Sequence, residues 1–162
     1  MTDLRTDRLV LHPLDLAEAG RVAAGTPGPG DRWADGYPID GDQRAARNYL
    51  ARHAEAGDPA PFGTYEIRLT DGTTIGGVGF HRPPDEDGAV EIGYGLVESA
   101  RGHGYAAEAL RALLELARSL GVRTVRGDAD HDNIPSQRVM RAAGMHYVRS
   151  DEQVRYYELT MP

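Results

Sequence analysis

Hydrophobic and polar positions alternate most regularly after residue 105, where they follow the period of an α-helix. The apolar positions are Ala106, Ala107, Leu110, Leu113, Leu114, Ala117 and Leu120, and the charged positions between them are Glu108, Arg111, Glu115 and Arg118. Apolar residues at this spacing share one face of a helix, and charged residues occupy the other. Gly121 follows the last apolar position, so the pattern predicts an amphipathic helix that ends there.

A strand-like segment lies on either side of this helix. Residues 89–97 and residues 122–129 are short runs rich in apolar and β-branched side chains. A strand, a helix and a second strand in this order form a βαβ unit, whose two strands are parallel. We therefore expect two parallel strands to flank the turn that opens the helix.

The remaining segments predict further strands and helices around this unit. Strands are expected at residues 8–12, 65–69, 74–81, 146–149 and 154–160, and helices at residues 14–24, 43–56 and 133–143. Asp71-Gly72 and Ser150-Asp151 are the expected hairpin turns, while Asn133 caps the last helix and Gly144 ends it. Residues 1–162 are thus predicted to form a single α/β domain, with a mixed central sheet of about seven strands flanked by about four helices.

Residues 25–42 have no clear period and are rich in glycine, proline and aspartate. One interpretation is a mobile, solvated loop. The other is a lid that binds a substrate, in which Trp33 and Tyr37 supply contact area and aspartates such as Asp35 attract a positive charge. The sequence leaves both open.

Composition excludes several kinds of chemistry. The chain has no cysteine, and all 18 residues in the lysine-plus-arginine count are arginines, so cysteine nucleophiles and phosphate-binding or Schiff-base lysines are absent. The formal charge of −7 argues against nucleic acid and is compatible with a cationic substrate. The histidines are scattered, so no metal site is predicted. Without an apolar run of membrane-spanning length or a signal pattern, we expect a soluble, cytoplasmic protein.

The turn that opens the central helix has the composition of a phosphate-binding loop. Residues 101–106 read Arg-Gly-His-Gly-Tyr-Ala and follow a predicted strand. Two glycines allow a tight turn and a close approach to a ligand, and the start of the helix offers unpaired N–H groups. Gly-x-Gly alone is also compatible with an ordinary strand-to-helix turn.

Several motifs together resemble the GCN5-related N-acetyltransferase (GNAT) superfamily. They are Arg-x-x-Gly-x-Ala at residues 101–106, Asn-x-x-Ser at residues 133–136 and the closing pair Gly144-Met145. The opening Thr-Asp-Arg-Leu-Val-Leu at residues 6–11 and Glu-Ile-Gly-Tyr at residues 91–94 more narrowly resemble the ribosomal-protein-alanine N-acetyltransferase branch. The resemblance covers nearly the whole chain.

The resemblance implies a fold, a donor and its contacts. In the GNAT fold the two parallel strands splay apart, and the pantetheine arm of acetyl-CoA enters the gap and pairs with the main chain near Leu96 and Val97. The pyrophosphate then lies on the amides of the glycine loop. The implied acetyl-CoA-binding residues are Leu96, Val97, Arg101, Gly102, His103, Gly104, Tyr105, Ala106, Asn133 and Ser136. Pure helix capping remains the alternative role of Asn133. The resemblance also suggests a homodimer.

A transfer to an amine needs proton removal, because an alkylammonium ion has a pKa of about 10 and no lone pair. Glu91 is the first candidate for the base, with an outward residue paired to an arginine as its alternative role. Asp128 and His131 are secondary candidates.

The leaving thiolate needs a hydrogen bond. By resemblance Ser136 lies near the sulfur, unless it is an inert serine of the first helical turn. Met140 stands where many superfamily members have a tyrosine, and Tyr94 is interpreted as a packing residue. Because the chain has no cysteine, direct transfer in a ternary complex is favoured over an acyl-enzyme.

Two other functions fit parts of this sequence. Gly102-x-Gly104-x-x-Ala107, with Asp128 downstream, also fits a dinucleotide-binding fingerprint, but too little chain follows to build the second half of that fold. A non-catalytic acyl-CoA-binding regulatory module remains open. So does the acceptor, which the sequence does not distinguish among a protein N-terminus, an amino acid, a polyamine and an aminoglycoside.

Overall fold

The computed structural model describes residues 2–162, within which the chain forms eight strands and four α-helices. The strands are β1 (Leu4–Arg5), β2 (Leu9–Pro13), β3 (Thr64–Leu69), β4 (Thr74–Phe80), β5 (Ala89–Leu96), β6 (Thr124–Asp130), β7 (His146–Ser150) and β8 (Val154–Thr160). The helices are α1 (Leu16–Ala24), α2 (Asp40–Ala56), α3 (Tyr105–Ser119) and α4 (Ile134–Ala142). The predicted α/β class is confirmed.

All strands belong to one mixed sheet in the order β1-β2-β3-β4-β5-β6-β8-β7. Only β5 and β6 are parallel among these strands, as the βαβ pattern predicts. Their ladder has three residue pairs, which join Ala89–Glu91 to Thr124–Arg126. Beyond those pairs the strands continue without pairing to each other, so the predicted splayed pair is present.

The largest differences from the predicted elements are an added strand and an earlier start of α2. The sheet has one more strand than the seven expected, because Leu4–Arg5 pairs with Val10 and Leu11 of β2. Two residues are too few to show a period of two. Helix α2 begins at Asp40, three residues before the predicted start, and the carboxylate of Asp42 accepts a hydrogen bond from the Ile39 amide at 3.1 Å.

The helices cover both faces of the sheet. Helices α1 and α2 pack against each other, and the Cα of Gly77 in β4 faces Asp42 of α2. On the opposite face, Gly127 of β6 lies against Met140 of α4 and Ile92 of β5. Helix α3 packs on α4 and on the strands β2, β4 and β5. None of the helices in residues 2–162 combines the length and apolar character of a membrane span.

Part of the segment before α2 packs on the sheet. Trp33 forms a parallel bridge with Thr74, and its ring lies edge-on to the ring of Tyr37 at 5.2 Å. Tyr37 is 8% exposed and belongs to the hydrophobic core. Trp33 and Tyr37 therefore pack on the protein, whereas most of residues 25–30 are exposed, as expected of a solvated loop.

Candidate active site

The glycine loop has the backbone geometry that the sequence predicts. Gly102 and Gly104 both have φ of 80°, the left-handed region that favours glycine. Helix α3 starts directly after Gly104, which as the N-cap residue offers no side-chain hydrogen bond to the first amides of the helix. These N–H groups and the positive end of the helix dipole form a site for an anion.

The N-terminal motif, residues 6–11, forms hydrogen bonds with this loop and with the first turn of α3. The hydroxyl of Thr6 donates a hydrogen bond to the carboxylate of Glu108, in the first turn of α3. The Arg8 Nε donates to the same carboxylate at 2.8 Å, and its Nη1 donates to the carbonyl of His103 at 2.8 Å. The guanidinium also lies 4.6 Å from the ring centre of Tyr105. Sequence reasoning used residues 6–11 only as a family signature and missed Arg8, since nothing local reveals a contact across 100 residues.

Other loop side chains lie at the mouth of the gap between β5 and β6. The Nε of Arg101 donates to the carbonyl of Leu96 at 3.2 Å, which turns this guanidinium back towards the end of β5. The rings of His103 and Tyr105 are stacked, with centroids 5.5 Å apart. The loop thus presents cationic and aromatic side chains beside its free amides.

Alternate residues of β5 turn their main-chain groups towards the gap. The carbonyl of Glu91 accepts from the His81 amide, and the amide of Val97 donates to the Ile75 carbonyl, each at 2.9 Å. Odd-numbered residues therefore face β4. By alternation, Tyr94 and Leu96 face β6, beyond the last ladder pair.

Because of this alternation, only one of the two residues predicted to pair with the ligand, Leu96 and Val97, faces the gap. Leu96 has its amide directed into the gap. Val97 does not, because its amide is bonded to Ile75 and its carbonyl accepts from Ala100 at 3.0 Å. Tyr94, which the sequence interpretation assigned to packing, supplies the other unpaired main-chain groups.

A pair of hydroxyls spans the same gap. The hydroxyl of Tyr94 lies 2.7 Å from the Ser136 Oγ and donates to the Ser136 carbonyl at 2.9 Å. Asn133 caps α4, because its Oδ1 accepts from the Ser136 amide at 3.2 Å. Burial raises the pKa of Tyr94 to about 12, so its hydroxyl keeps its proton at neutral pH. The contact places two hydroxyl groups where the two strands diverge.

A cavity of about 530 Å³ lies between α2 and the strands β4 and β5. Four glycines in two facing pairs, Gly77 with Gly95 and Gly79 with Gly93, form its floor. Its other lining residues are Ile39, Gly41, Asp42, Arg44, Ala45, Asn48, Thr64, Val78, Phe80, His81, Arg82, Glu91 and Tyr94. Other protein atoms fill the space above these glycines, namely Asp42 over Gly77, the Gly63 carbonyl over Gly79, His81 over Gly93 and Ile39 over Gly95, so none of the four positions can carry a side chain.

Three ionisable side chains meet at one end of this cavity. The Oε2 of Glu91 is 3.7 Å from the Nδ1 of His81, and its Oε1 is 3.9 Å from the Nη2 of Arg82. The Glu91 side chain is 51% exposed, so water reaches it. Both the candidate base and its expected alternative, an arginine partner, are therefore present. His81 was missed, because its sequence context is an ordinary strand end.

A second carboxylate lines the cavity beneath α2. Asp42 is 8% exposed, and burial raises its pKa to about 7. One oxygen accepts the Ile39 amide, and the other lies 2.6 Å from the position that a Cβ on Gly77 would take. Only glycine therefore fits beneath this carboxylate.

The other candidates lie elsewhere. Trp33, Asp35 and Tyr37 do not line the cavity, and burial raises the pKa of the Tyr37 hydroxyl far above its ordinary value. The Nε2 of His131 bonds to the carbonyl of Asp151 at 2.6 Å, in the turn between β7 and β8. Residues 2–162 contain no cluster of three or more potential metal ligands.

Comparison with known proteins gives consistent matches. The family model described as "Acetyltransferase (GNAT) domain" matches residues 8–146. A curated Bacillus subtilis (strain 168) protein, "Uncharacterized N-acetyltransferase YjdG", is 38% identical over 71 residues, which are 43% of this chain and only 42% of that relative. The chain therefore matches less than half the length of this relative.

Solved structures match over almost the whole chain. An acetyltransferase from Agrobacterium tumefaciens str. C58 is 27% identical with a TM-score of 0.70, over 99% of this chain and 95% of that one. RimL, a ribosomal L7/L12 alpha-N-protein acetyltransferase solved with coenzyme A, has a TM-score of 0.71 at 17% identity, over 99% and 98% of the two chains, and shows the fold alone. The splayed strands, the glycine loop and the family match lead to one conclusion: the chain belongs to the GNAT acetyltransferase domain family.

Proposed function

We propose that this chain is an N-acetyltransferase that moves an acetyl group directly from acetyl-CoA to a primary amine within a ternary complex. The observation that carries the proposal is the gap between β5 and β6, which opens after Glu91 and Arg126 and leads to the uncapped start of α3. The gap therefore connects the anion site at the start of α3 to the unpaired main-chain groups of β5 and to the cavity.

The donor fits this path from end to end. The pyrophosphate is held by the amides of residues 102–106, and Arg101 and Arg8 supply positive charge beside it. The pantetheine amides pair with the main chain of Tyr94 and Leu96, as an added strand would. The coenzyme A bound to RimL supports this assignment by fold.

The acceptor enters from the cavity between α2 and the strands β4 and β5. Its ammonium group first loses a proton to the carboxylate of Glu91, which lines the cavity. The amine nitrogen then attacks the thioester carbonyl carbon, the carbon–sulfur bond breaks, and the nitrogen gives up its second proton, which neutralises the leaving thiolate. With no cysteine in the chain, no acyl-enzyme thioester precedes this attack.

The hydroxyl pair assists the leaving thiolate. Ser136 lies at the start of α4, and its hydroxyl donates to the sulfur as negative charge develops there. Tyr94 orients that hydroxyl by donating to the Ser136 Oγ across the 2.7 Å contact in place of its bond to the Ser136 carbonyl, so the serine keeps its own proton for the sulfur. Because a thiol ionises near pH 8.5, one hydrogen bond is enough to help the thiolate leave.

Two measurements test the proposal. Acetyl-CoA at about 100 times its Kd should raise the melting temperature by about 5 °C or more, whereas NAD should not. A panel of amines should then release free CoA thiol, which is measured without background because the chain has no thiol of its own. Donor binding without release for any amine would instead support the non-catalytic acyl-CoA-binding module.

Ser136→Ala tests the chemical step separately. We expect kcat to fall about 10- to 100-fold while the Kd of acetyl-CoA stays within about twofold. Ser119→Ala, an exposed serine at the far end of α3, is the matched control and should keep the full rate. An unchanged kcat in Ser136→Ala would remove this hydroxyl from the mechanism.

A further inference from the structure

A single carboxylate, that of Glu108, ties the N-terminal segment to the first turn of α3. It accepts hydrogen bonds from the hydroxyl of Thr6, from the main-chain amide of Arg8 at 2.9 Å and from the Arg8 Nε at 2.8 Å. Its side chain is only 14% exposed. Burial disfavours its charge, but these hydrogen bonds outweigh burial and lower the pKa of Glu108, so the carboxylate is ionised at neutral pH. Three donors of residues 6–8 therefore converge on one charged group of α3.

The guanidinium of Arg8 extends from this carboxylate to the glycine loop. While its Nε bonds to Glu108, its Nη1 donates to the carbonyl of His103 at 2.8 Å, and its Cζ lies 4.6 Å from the centre of the Tyr105 ring. Its Nη2 is 3.4 Å from the position that a Cβ on Gly104 would take, so the guanidinium also packs on this glycine. Arg8 thus contacts each residue from 103 to 105, the stretch in which the loop becomes the helix.

The hydrogen bond from Arg8 to His103 fixes the direction of one peptide group in the loop. The peptide bond between His103 and Gly104 is trans, so its C=O and N–H point in opposite directions. With the carbonyl held by Arg8, the N–H of Gly104 points away from Arg8. A peptide beside a glycine otherwise rotates readily. A rotated carbonyl oxygen would repel an anion bound at the start of α3.

We propose that Arg8 is a positioning residue for the donor: held by Glu108 and Thr6, it keeps the glycine loop in the conformation that binds the diphosphate of acetyl-CoA. This inference rests on the proposed function and adds to it a set of three residues, Thr6, Arg8 and Glu108, which we call the N-terminal clamp. Because Glu108 balances part of the Arg8 charge, the clamp acts mainly through the conformation of the loop rather than through attraction by a free cation.

The first test is the affinity of Arg8→Gln for the donor. We expect the Kd of acetyl-CoA to rise about 10-fold, because the ligand must then order the loop itself, while kcat at saturating donor and the KM of the amine stay within about twofold. Arg5→Gln removes an exposed arginine of β1 with the same change in net charge, and its Kd should match that of the wild type. Titration calorimetry and steady-state kinetics measure these quantities.

A truncated donor separates an effect on the loop from damage to the fold. Acetyl-pantetheine carries the thioester and the pantetheine arm but lacks the diphosphate and the nucleotide. We expect kcat/KM of Arg8→Gln to fall about 10-fold with acetyl-CoA and to stay within about twofold of the wild type with acetyl-pantetheine. An equal loss with both donors would show that Arg8 does not act on diphosphate binding.

Glu108→Ala distinguishes the clamp from a simple point charge. The substitution removes a negative charge beside the anion site, so electrostatic attraction alone would make acetyl-CoA bind more tightly. It also releases Arg8 and Thr6, so the clamp requires the opposite sign, a Kd about 3- to 10-fold higher than that of the wild type. Glu115→Ala, which removes an exposed glutamate of the same helix, is the matched control and should leave the Kd unchanged. Tighter binding by Glu108→Ala would contradict the clamp.

The outcomes separate this inference from the proposed function. A wild-type protein that binds acetyl-CoA and acetylates amines, together with an Arg8→Gln variant whose Kd for acetyl-CoA is unchanged, would overturn the role of the clamp alone. A wild-type protein that binds no acetyl-CoA would overturn both proposals.

Discussion

At the scale of single residues, burial of the Asp42 carboxylate makes the stability of the folded protein depend on pH. It lies in the first turn of α2, and burial raises its pKa to about 7. Unfolded aspartate has a pKa of about 3.9. Between these two values the folded state keeps a proton that the unfolded state has lost, so this group makes stability fall as pH rises from about 4 to about 7.

Asp42→Asn should remove that dependence. The amide oxygen can still accept the Ile39 amide, but no charge is buried, so the variant should exceed the wild type in free energy of unfolding at pH 8 by on the order of 1–3 kcal/mol. At pH 4 the two should be equal. Urea denaturation at both pH values measures this, with Glu86→Gln as an exposed control. An equal difference at pH 4 and pH 8 would contradict the burial argument.

At the scale of elements, glycine has two different functions in this chain. Gly20 lies inside α1, where its ordinary helical conformation accepts any residue. Gly102 lies in the loop before α3 with φ of 80°. A Cβ on either glycine would meet no atom within 4 Å, so the two positions differ in backbone conformation rather than in available space.

Alanine at these two positions should therefore have opposite effects. Gly20→Ala should stabilise the protein by about 0.5–1 kcal/mol, because glycine is unfavourable inside a helix. Gly102→Ala should destabilise it by about 1–2 kcal/mol, because an L-residue is strained at this φ, and should weaken acetyl-CoA binding. Chemical denaturation measures the first effect and titration calorimetry the second. The same sign at both positions would refute the conformational argument.

At the scale of the whole molecule, the sheet consists of two antiparallel halves with a short parallel junction. Strands β1–β5 form one half and β6, β7 and β8 form the other, and they meet through three residue pairs. The junction ends at Glu91, so β5 has a bonded edge towards β4 and an open edge towards the gap. The proposed donor would complete that open edge.

Amide hydrogen exchange should detect pairing of the donor with the open edge of β5. The amides of Tyr94 and Leu96 should exchange rapidly in the free protein and at least about 10-fold more slowly with saturating acetyl-CoA. Gly93 and Gly95, whose amides face β4, are internal controls and should be protected in both states. NMR-detected exchange resolves the four sites. Unchanged rates at Tyr94 and Leu96 would place the ligand outside the gap.

The sequence by itself determined the features that depend on local backbone preferences. The helical period after residue 105, the two glycines at positive φ and the cap by Asn133 each depend on residues within a few positions of one another. Side-chain period and steric limits on φ act at that range, so these features are readable from the chain.

Only the tertiary structure decided which distant residues share the site. Tyr94 meets Ser136 across 42 positions, the Arg8 main chain meets Glu108 across 100, and His81 lies beside Glu91. These contacts depend on strand order, register and the splay of one parallel pair, and a one-residue shift in register would turn each side chain to the other face. The pattern of a single strand does not contain that information, so the composition of the site follows from how the strands assemble.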